Sequence, residues 1–307
     1  MTSEEFEFLL FDRIEKIKQI NAEYDLENNA YISFSGGKDS TVLHYLIDLA
    51  LPNNKIPRVF INTGIEYNSI VKFVKELANK DDRINIIKPT KSIKKILTTY
   101  GYPFKSKDFA QKVSIFNRKG YLKGIKRFLS FDGILACPSK LKYLFEKQNN
   151  TSFEISDKCC LHLKENVLKK FSLDNNKKIA IIGLTGDEQG RRRQYSNNCF
   201  VNYKNEKLFY PMRTIKSDFI KFFIQKYKIK LCELYYEPYN FTRTGCKGCP
   251  FNYKLQEDLE TLKKYFYNEY KQCETIWKPV YDEYRRIGYR LRKDNGQLTI
   301  FDFIESE

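Results

Sequence analysis

The chain has 307 residues, with 54 lysine and arginine residues against 38 aspartate and glutamate residues and a formal net charge of +16. This length allows one large hydrophobic core, or a core with a small appendage. The sequence has no uncharged apolar run of membrane-spanning length and begins with an acidic segment unlike a signal peptide, so we expect a cytoplasmic protein without a membrane partner.

The net charge indicates which partners to expect, and the number of cysteines indicates which roles these residues have. An excess of lysine and arginine favours polyanionic partners such as nucleotides and nucleic acid. The chain is also rich in Asn, Ile, Tyr and Lys, so part of the excess is equally explained as solvated surface. Eight cysteines in a reducing compartment are expected to be ligands, nucleophiles or core residues instead of disulfides.

The first predicted elements are a helix over residues 4–28 and a short apolar strand that begins at Tyr31. The strand breaks at Gly36 and Gly37, and a helical pattern follows over residues 41–49. Such a turn brings backbone N–H groups close to a ligand, and the helix directs the positive end of its dipole to the same place. We therefore predict an anion site suited to a pyrophosphate or a sulfate. Its predicted residues are Ser33, Ser35, Gly36, Gly37, Lys38, Asp39 and Ser40.

This turn differs from the loop of nucleoside triphosphatases, which needs four residues between its glycines and a hydroxyl residue after the lysine. Here the glycines are adjacent and Asp39 follows Lys38. A kinase or GTPase is therefore disfavoured. Ser-Gly-Gly-x-Asp-Ser between a strand and a helix instead resembles the PP-loop of the adenine-nucleotide α-hydrolases, whose members react at the α-phosphate; a purely structural turn is the alternative.

Further strands are predicted over residues 58–62, 83–87 and 178–184, with helices between them. This alternation predicts an α/β fold, a Rossmann-like parallel sheet flanked by helices, with ligands at the carboxyl ends of the strands. We expect this domain to occupy residues 1–250, and residues 251–307 to form a small helical C-terminal appendage and tail. An aromatic, basic segment over residues 100–126 lacks a regular pattern and is expected to be a substrate lid.

Two strand ends carry further candidate residues. Thr63, Gly64 and Glu66 follow the strand over residues 58–62 and are expected to meet the ribose, the base, or a metal on the phosphates; capping of the next helix is the alternative role for Glu66. Gly186 and Arg191 follow the strand over residues 178–184, and Arg191 is expected to clamp the sulfate or phosphate end of a nucleotide.

Four cysteines form a candidate metal site. Cys159 and Cys160 are adjacent, and Cys246 and Cys249 form a Cys-x-x-Cys knuckle. Adjacent cysteines chelate one zinc ion awkwardly, whereas an iron–sulfur cluster accepts such a pair; zinc and buried or redox-active thiols stay open as alternatives. Cys232 is expected in the core of an apolar strand.

Six ordered motifs between about residues 28 and 251 resemble the phosphoadenosine phosphosulfate reductase family of PP-loop proteins. They are Ser-Phe-Ser-Gly-Gly-Lys-Asp-Ser, Asn-Thr-Gly-Ile-Glu-Tyr, Tyr-Gly-Tyr-Pro-Phe-Lys-Ser-Lys, Asp-Lys-Cys-Cys, Gly-Asp-Glu-Gln-Gly-Arg-Arg and Thr-Arg-Thr-Gly-Cys-x-x-Cys. The resemblance implies that residues 35–40 hold the nucleotide's phosphates, that Glu66 lies near the adenosine, and that the four paired cysteines bind a four-iron, four-sulfur cluster.

One departure from the family affects the expected reaction. Sulfonucleotide reductases attack sulfur with a cysteine in a C-terminal Cys-Gly-Leu-His tail, and this chain ends without a cysteine. Relatives with the same fold and cluster, the DNA phosphorothioation ATPases and tRNA thiolation enzymes, use ATP to activate an oxygen that sulfur then replaces. We therefore expect ATP and Mg²⁺, the latter on Asp39 or Glu66, with Lys38, Asp39 and Arg191 as catalytic residues. AMP transfer to a nucleic-acid acceptor then releases pyrophosphate, and a protein such as a cysteine desulfurase donates the sulfur.

Two rival functions remain from the sequence. One is a reductase of adenylyl sulfate or phosphoadenylyl sulfate that uses Cys273, Cys199 or Cys137, and the other is a non-catalytic nucleotide-sensing module. The segment from Gln297 to Phe301 also resembles the peptide by which bacterial proteins dock on the replication sliding clamp; a final β-strand explains the same alternation.

Overall fold

The computed structural model describes residues 2–130, 136–146, 151–187, 198–203 and 206–293. The chain divides into two compact units. The sheet unit comprises Met1–Ile93 and Cys160–Cys246, and the helical unit comprises Lys94–Cys159 and Lys247–Glu307. The C-terminal helices thus share a compact unit with residues 94–159. None of the helices in the described ranges is both long and apolar enough to cross a bilayer.

The sheet unit begins with a helix and then alternates strands with helices. Its first elements are α1 (Ser3–Tyr24), α2 (Leu26–Asn29), β1 (Ala30–Ser33), α3 (Lys38–Ala50), β2 (Arg58–Ile61), α4 (Asn68–Ala78) and β3 (Ile84–Ile87). α1 starts with a capping box, in which Thr2 Oγ1 accepts from the Glu5 N–H and the Glu5 carboxylate accepts from the Thr2 N–H. Every residue of β2 is buried, as expected of a strand covered on both faces.

The segment after β3 corrects a prediction. It forms α5 (Ile93–Tyr100), α6 (Lys107–Lys119), α7 (Lys123–Ser130) and a 3₁₀ helix (Ser139–Phe145). The irregular segment expected over residues 100–126 is wrong beyond residue 106, because the Ser106 hydroxyl accepts from the Phe109 N–H and starts α6. Phe109, Val113 and Phe116 then bury one face of that helix.

The chain re-enters the sheet unit at the cysteine pair. α8 (Lys158–Cys160) passes through a π-helical turn (Leu161–Glu165) into α9 (Asn166–Asp174), and then follow β4 (Ile179–Ile181), β5 (Phe200–Tyr203), β6 (Glu206–Phe209), α10 (Ser217–Lys226) and a 3₁₀ turn (Glu233–Tyr235). The sequence did not predict β5 and β6. It also placed Cys232 in a strand, which is wrong, although Cys232 is buried as expected.

The six strands form one sheet in the order β3-β2-β1-β4-β6-β5. All neighbours are parallel except the β5–β6 pair. This is the predicted α/β architecture, with an antiparallel edge strand added. β1 is central, since Ile32 is in register with both Arg58 of β2 and Ile181 of β4. The carboxyl ends of β2, β1 and β4 therefore lie side by side at one edge of the sheet.

Helices cover both faces of the sheet. On one face, Ile17 of α1, Leu43 of α3 and Phe219 of α10 belong to a single buried cluster. On the other face, Tyr31 and Leu208 pack with Phe171 of α9. The sheet unit is therefore a three-layer structure with its core on each side of β1.

The remaining helices, α11 (Leu255–Tyr265) and α12 (Tyr267–Ile287), belong to the helical unit. They confirm the helical C-terminal region expected from the sequence. They do not stand alone, because the Tyr284 hydroxyl of α12 accepts from the Lys105 N–H, and the Tyr143 hydroxyl bonds to Glu283. Phe104, in the segment expected to be a lid, is fully buried against the Tyr284 ring.

Candidate functional site: a glycine turn, an ion pair and cysteines

The turn between β1 and α3 has the backbone that its sequence predicts. Gly36 has φ +69°, and a Cβ there would lie 2.6 Å from Val74 Cγ2, so both conformation and space require glycine. Gly37 is the N-cap of α3 and provides no side-chain cap. The amino end of α3 therefore lacks the acceptor that an N-cap side chain usually provides, which leaves room for an anion there.

Two serine hydroxyls brace this turn. Ser35 Oγ and Ser40 Oγ lie 2.9 Å apart, and Ser40 Oγ also accepts from the Ser35 N–H at 3.2 Å. The Gly37 N–H donates to Ser35 Oγ at 3.3 Å. Ser35 is exposed and Ser40 is buried, so the turn presents one hydroxyl outward and anchors itself with the other. Ser33, the last residue of β1, is half-buried.

A tyrosine that sequence reasoning missed completes the turn. The Lys38 N–H donates to the Tyr235 hydroxyl at 3.0 Å, and that hydroxyl lies 2.5 Å from Thr244 Oγ1. Burial raises the pKa of Tyr235, so its hydroxyl keeps its proton at neutral pH. Thr244 belongs to the Thr-Arg-Thr-Gly-Cys-x-x-Cys motif, so the sequence gave a reason to expect it near the site. Tyr235 belongs to none of the six motifs. The hydroxyl pair thus connects the glycine turn to the segment that carries Cys246.

The end of β2 places Glu66 in a buried position. Its Oε2 accepts from the Thr63 N–H and from Thr63 Oγ1, both at 2.7 Å. Its Oε1 is buried and accepts no hydrogen bond from the residues the structure describes. Gly64 has φ +85° and open space where a Cβ would point. Glu66 is 6% exposed and is not the N-cap of α4, which is Tyr67; an unsatisfied oxygen in such a place is a candidate ligand-binding atom.

Lys164 approaches that oxygen. Its Nζ lies 3.4 Å from Glu66 Oε1, an ion pair without a hydrogen bond. Lys164 lies in the π-helical turn four residues after Cys160, and π turns of this kind are frequent at functional sites. Burial alone would lower the pKa of Lys164, but the negative charges of Cys246, Glu66 and Cys160 in their ionised forms raise it above its usual value.

Cys160 and Cys246 therefore both lie near the Lys164 ammonium. Burial raises the pKa of Cys246, and the charge of Lys164 opposes that shift. A cation already beside two cysteines suits a group held by thiolates, because thiolate ligands add negative charge. The expected cysteine ligands Cys160 and Cys246 thus come together in the sheet unit.

The other two expected ligands lie in the helical unit, where Cys159 is buried and Cys249 is half-buried. The knuckle around Cys249 is fixed by aromatic residues of α12. Trp277 Nε1 donates to the Lys247 carbonyl at 3.1 Å, and the Tyr281 hydroxyl donates to the Gly248 carbonyl. Gly248 has φ +61°, and a Cβ there would meet Cys273 Sγ at 2.7 Å. Cys273 is thus a packing residue beneath the knuckle.

Three cysteines proposed as alternative nucleophiles or core residues are poorly ionised. Burial raises the pKa of Cys273 to about 12 and the pKa of Cys137 to about 11. Burial also raises the pKa of Cys232 to about 11. Since the thiolate is the nucleophile, these thiols are almost unreactive at neutral pH.

In the described residues, a single group of three potential ligands has its atoms within 4.8 Å, and it contains no cysteine. It consists of His44, Asp48 and Asp81. Arg58 Nη2 lies 2.6 Å from Asp48 Oδ1, and Arg83 Nε lies 2.7 Å from Asp81 Oδ1. Two arginines neutralise two carboxylates at the amino ends of β2 and β3, so this is an ion-pair network. The cysteine ligand set remains a prediction from the sequence.

The end of β4 approaches the glycine turn. A Cβ on Gly183 would lie 3.1 Å from the Asp39 carbonyl oxygen. Gly186 is packed on other backbone, with its N–H donating to the Ile215 carbonyl at 2.7 Å. Asp187 Oδ2 accepts from the N–H of Ser217, the first residue of α10, so Asp187 holds the amino end of that helix. Arg191 and the Gln297–Phe301 segment lie outside the described residues.

Comparison with known proteins identifies the family. The phosphoadenosine phosphosulfate reductase domain matches residues 29–252. The uncharacterized protein MJ0973 of Methanocaldococcus jannaschii is 33% identical over 132 residues, which cover 40% of this chain and 32% of that protein. The chain thus spans about a third of this relative's length.

Solved structures resemble the chain more loosely. Phosphoadenylyl-sulfate reductase from Candida auris is 12% identical with a TM-score of 0.43, over 76% of this chain and 91% of that one. FMN adenylyltransferase from Candida glabrata is 15% identical with a TM-score of 0.47, over 80% and 64%. The U34-tRNA thiolase NcsA from Methanococcus maripaludis, which has a [4Fe-4S] cluster, is 15% identical with a TM-score of 0.39, over 92% and 80%. The family match over residues 29–252 carries the assignment by itself: the chain belongs to the phosphoadenosine phosphosulfate reductase domain family.

Proposed function

We propose that the chain binds ATP at the glycine turn and transfers AMP to a nucleic-acid acceptor, which prepares that acceptor for sulfur insertion. The observation that carries the proposal is the uncapped amino end of α3, surrounded by hydroxyl groups and connected to Cys246 through Tyr235 and Thr244. The proposed nucleotide-binding residues are Ser33, Ser35, Gly36, Gly37, Lys38, Asp39, Ser40, Thr63, Gly64, Glu66, Gly186 and Arg191.

In the proposed reaction an acceptor oxygen attacks the α-phosphorus of ATP, and the bond from that phosphorus to the bridging oxygen breaks. Pyrophosphate leaves with the bonding electrons, and the acceptor's proton passes to solvent. N–H groups of Gly36 and Gly37, with the Lys38 ammonium, stabilise the charge that grows on the leaving group. The missing side-chain cap on α3 supports this role, because no N-cap side chain occupies the place where the helix terminus attracts an anion.

Two carboxylates are the candidate residues to hold a Mg²⁺ ion that enters with the nucleotide. Asp39 is half-buried in the first turn of α3. Glu66 has one oxygen held by Thr63 and one without a hydrogen bond among the described residues, so it fits either a metal ion or a ribose hydroxyl. Mg²⁺ would reduce repulsion between the phosphates and the acceptor.

We propose Cys159, Cys160, Cys246 and Cys249 as ligands of a four-iron, four-sulfur cluster. The donor chemistry fits, since four thiols suit such a cluster and Lys164 already lies beside two of them. The cluster would hold the incoming sulfur or order the site. The sulfur itself comes from a separate donor such as a cysteine desulfurase.

Reduction of a sulfonucleotide is the second candidate, and the name of the family favours it. It needs a cysteine nucleophile, and the raised pKa values of Cys273 and Cys137 count against those two residues. Cys199 is half-buried, with Arg13 Nη1 3.5 Å from its Sγ, and is the nucleophile to test. A nucleotide-sensing module is the third candidate and would bind ATP tightly without turnover.

The deciding experiment purifies the protein without oxygen and assays pyrophosphate and sulfite in parallel, with and without nucleic acid. ATP is the substrate of one assay, and adenylyl or phosphoadenylyl sulfate with thioredoxin is that of the other. Pyrophosphate release stimulated by nucleic acid supports AMP transfer. Sulfite without pyrophosphate, lost in Cys199→Ser, overturns it in favour of the reductase.

A further inference from the structure

The positive charge of the chain is concentrated in one segment of the helical unit. Residues 94–130 contain ten lysine and arginine residues and one aspartate, which gives +9 of the chain's +16. The other 270 residues share the remaining +7. A surface that serves solubility alone mixes both signs, so a segment with almost no acidic residue points to a polyanionic partner.

Five of these cations surround the turn between α6 and α7. We call residues 118–127 the basic turn, and its cations are Arg118, Lys119, Lys123, Lys126 and Arg127. All five side chains are exposed. Ile125 is buried and fixes α7, while Gly120 ends α6 with φ +70°. Within the described ranges none of the five forms an ion pair, in contrast to Lys112, which pairs with Asp108 one turn earlier.

The basic turn also presents an aromatic ring. Tyr121 is 45% exposed, and Leu122 beside it is 44% exposed. The Tyr121 ring packs edge-on against Phe116 with centroids 4.8 Å apart, and its hydroxyl donates to the Phe145 carbonyl at 2.6 Å. The ring is therefore held in place while one side faces solvent. A fixed, exposed ring between cations is the arrangement on which an unpaired base stacks while its phosphates meet the charges.

We propose that the basic turn binds a single-stranded stretch of nucleic acid, with Tyr121 stacking on an unpaired base. This inference rests on the proposed function only for the role of that strand as acceptor; binding itself does not depend on it. The chemistry is the same for RNA and DNA, and an anionic membrane or an acidic protein would use the cations but not the ring.

The test measures binding of labelled single strands of about 20 nucleotides, RNA and DNA, between about 50 and 200 mM salt. Each phosphate contact on a single strand contributes about 0.7 to the slope of log affinity against log salt. A triple variant should therefore reduce the magnitude of this slope by about 2. It carries the substitutions Lys123→Gln, Lys126→Gln and Arg127→Gln. The matched control Lys72→Gln, Lys75→Gln, Lys80→Gln removes the same charge from exposed positions on and after α4 and should leave the slope unchanged.

The ring is tested separately. Tyr121→Ala should weaken single-strand binding about tenfold, the effect of losing one stacked base, whereas Tyr121→Phe should bind like the wild type. The proposal is overturned if both triple variants reduce the salt slope equally. It is also overturned if heparin, anionic vesicles or duplex bind as tightly as single strands and Tyr121→Ala has no effect.

ATP binding by the same variants separates this inference from the proposed function. Loss of strand binding with normal ATP affinity shows that the variants fold and supports the basic turn. A wild type that binds single strands at the basic turn but releases no pyrophosphate would refute AMP transfer and leave this inference standing.

Discussion

The Glu66 carboxylate lies 3.4 Å from the Lys164 ammonium, and this ion pair joins the end of β2 to the helical segment that follows Cys160. Glu66 is buried and Lys164 is partly exposed. Lys164→Met leaves the carboxylate uncompensated and should reduce the free energy of unfolding by about 2 kcal/mol. Urea unfolding measures this loss.

The double variant Glu66→Gln with Lys164→Met tests whether the pair is the cause. It removes both charges, so we expect it to recover at least half of the loss caused by Lys164→Met. If the two single losses simply add in the double variant, the two charges do not interact and the proposed link from β2 to Cys160 is wrong.

The Tyr235 hydroxyl accepts from the Lys38 N–H, a donor that a phosphate bound at the proposed site would also use. In Tyr235→Phe that N–H has lost its partner, so a phosphate satisfies it without breaking an existing hydrogen bond. We expect pyrophosphate to bind about fivefold tighter, equivalent to about 1 kcal/mol for one hydrogen bond. Tyr236→Phe is the control, because the Tyr236 hydroxyl accepts from the Leu231 N–H, away from the turn. Weaker binding by Tyr235→Phe in calorimetry would mean that the hydroxyl itself contacts the anion.

Gly36 and Gly64 both have positive φ but differ in the space around them. Gly36→Ala meets Val74 in addition to the backbone strain, and we expect it to lower the free energy of unfolding by at least about 2 kcal/mol. Gly64→Ala meets open space and should lose only about 1 kcal/mol. Thermal or urea unfolding compares the two. Equal losses would show that the contact of residue 36 with α4 does not constrain the turn.

His44 should make stability depend on pH. Burial, with the neighbouring Arg58, lowers the pKa of His44 from 6.5 to about 4, and its Nδ1 accepts from Arg58 Nε at 3.2 Å. Between these two values the unfolded chain binds a proton that the folded chain does not. The free energy of unfolding should therefore fall as the pH falls from 6.5 to 4, by about 3 kcal/mol in total.

His44→Asn is the matched variant, because the amide oxygen can still accept from Arg58. It should remove most of the loss of stability between pH 6.5 and 4. The pKa values of Asp48 and Asp81 are also lowered, so these two carboxylates reduce the free energy of unfolding only below about pH 3.8, outside this window. An unchanged pH profile in His44→Asn would assign the effect to another group.

The glycine turn and the parallel sheet follow from the sequence because their signals are local. Adjacent glycines after an apolar strand specify a turn that Gly36 confirms with its positive φ. Tyr235 and Lys164 could not be predicted, since each depends on a contact between distant parts of the chain: Tyr235 with Lys38, and Lys164 with Glu66. The sequence did not predict α6, because the basic residues among its aromatic residues hid the helical spacing of its apolar face. Ser106 is the N-cap of this helix. The π-helical turn after Cys160 has no signature in the sequence.

The central proposal is that the turn after β1 binds an adenine nucleotide independently of the iron–sulfur cluster proposed for the four cysteines. The most direct test is calorimetry with ATP on the wild type and on Lys38→Ala. Both proteins are purified anaerobically, and the iron content of both samples is measured. We predict that Lys38→Ala binds ATP at least about tenfold more weakly, as loss of a charged phosphate contact requires, and keeps the iron content of the wild type. Equal ATP affinity in the two proteins, or loss of iron together with ATP binding, would contradict the account.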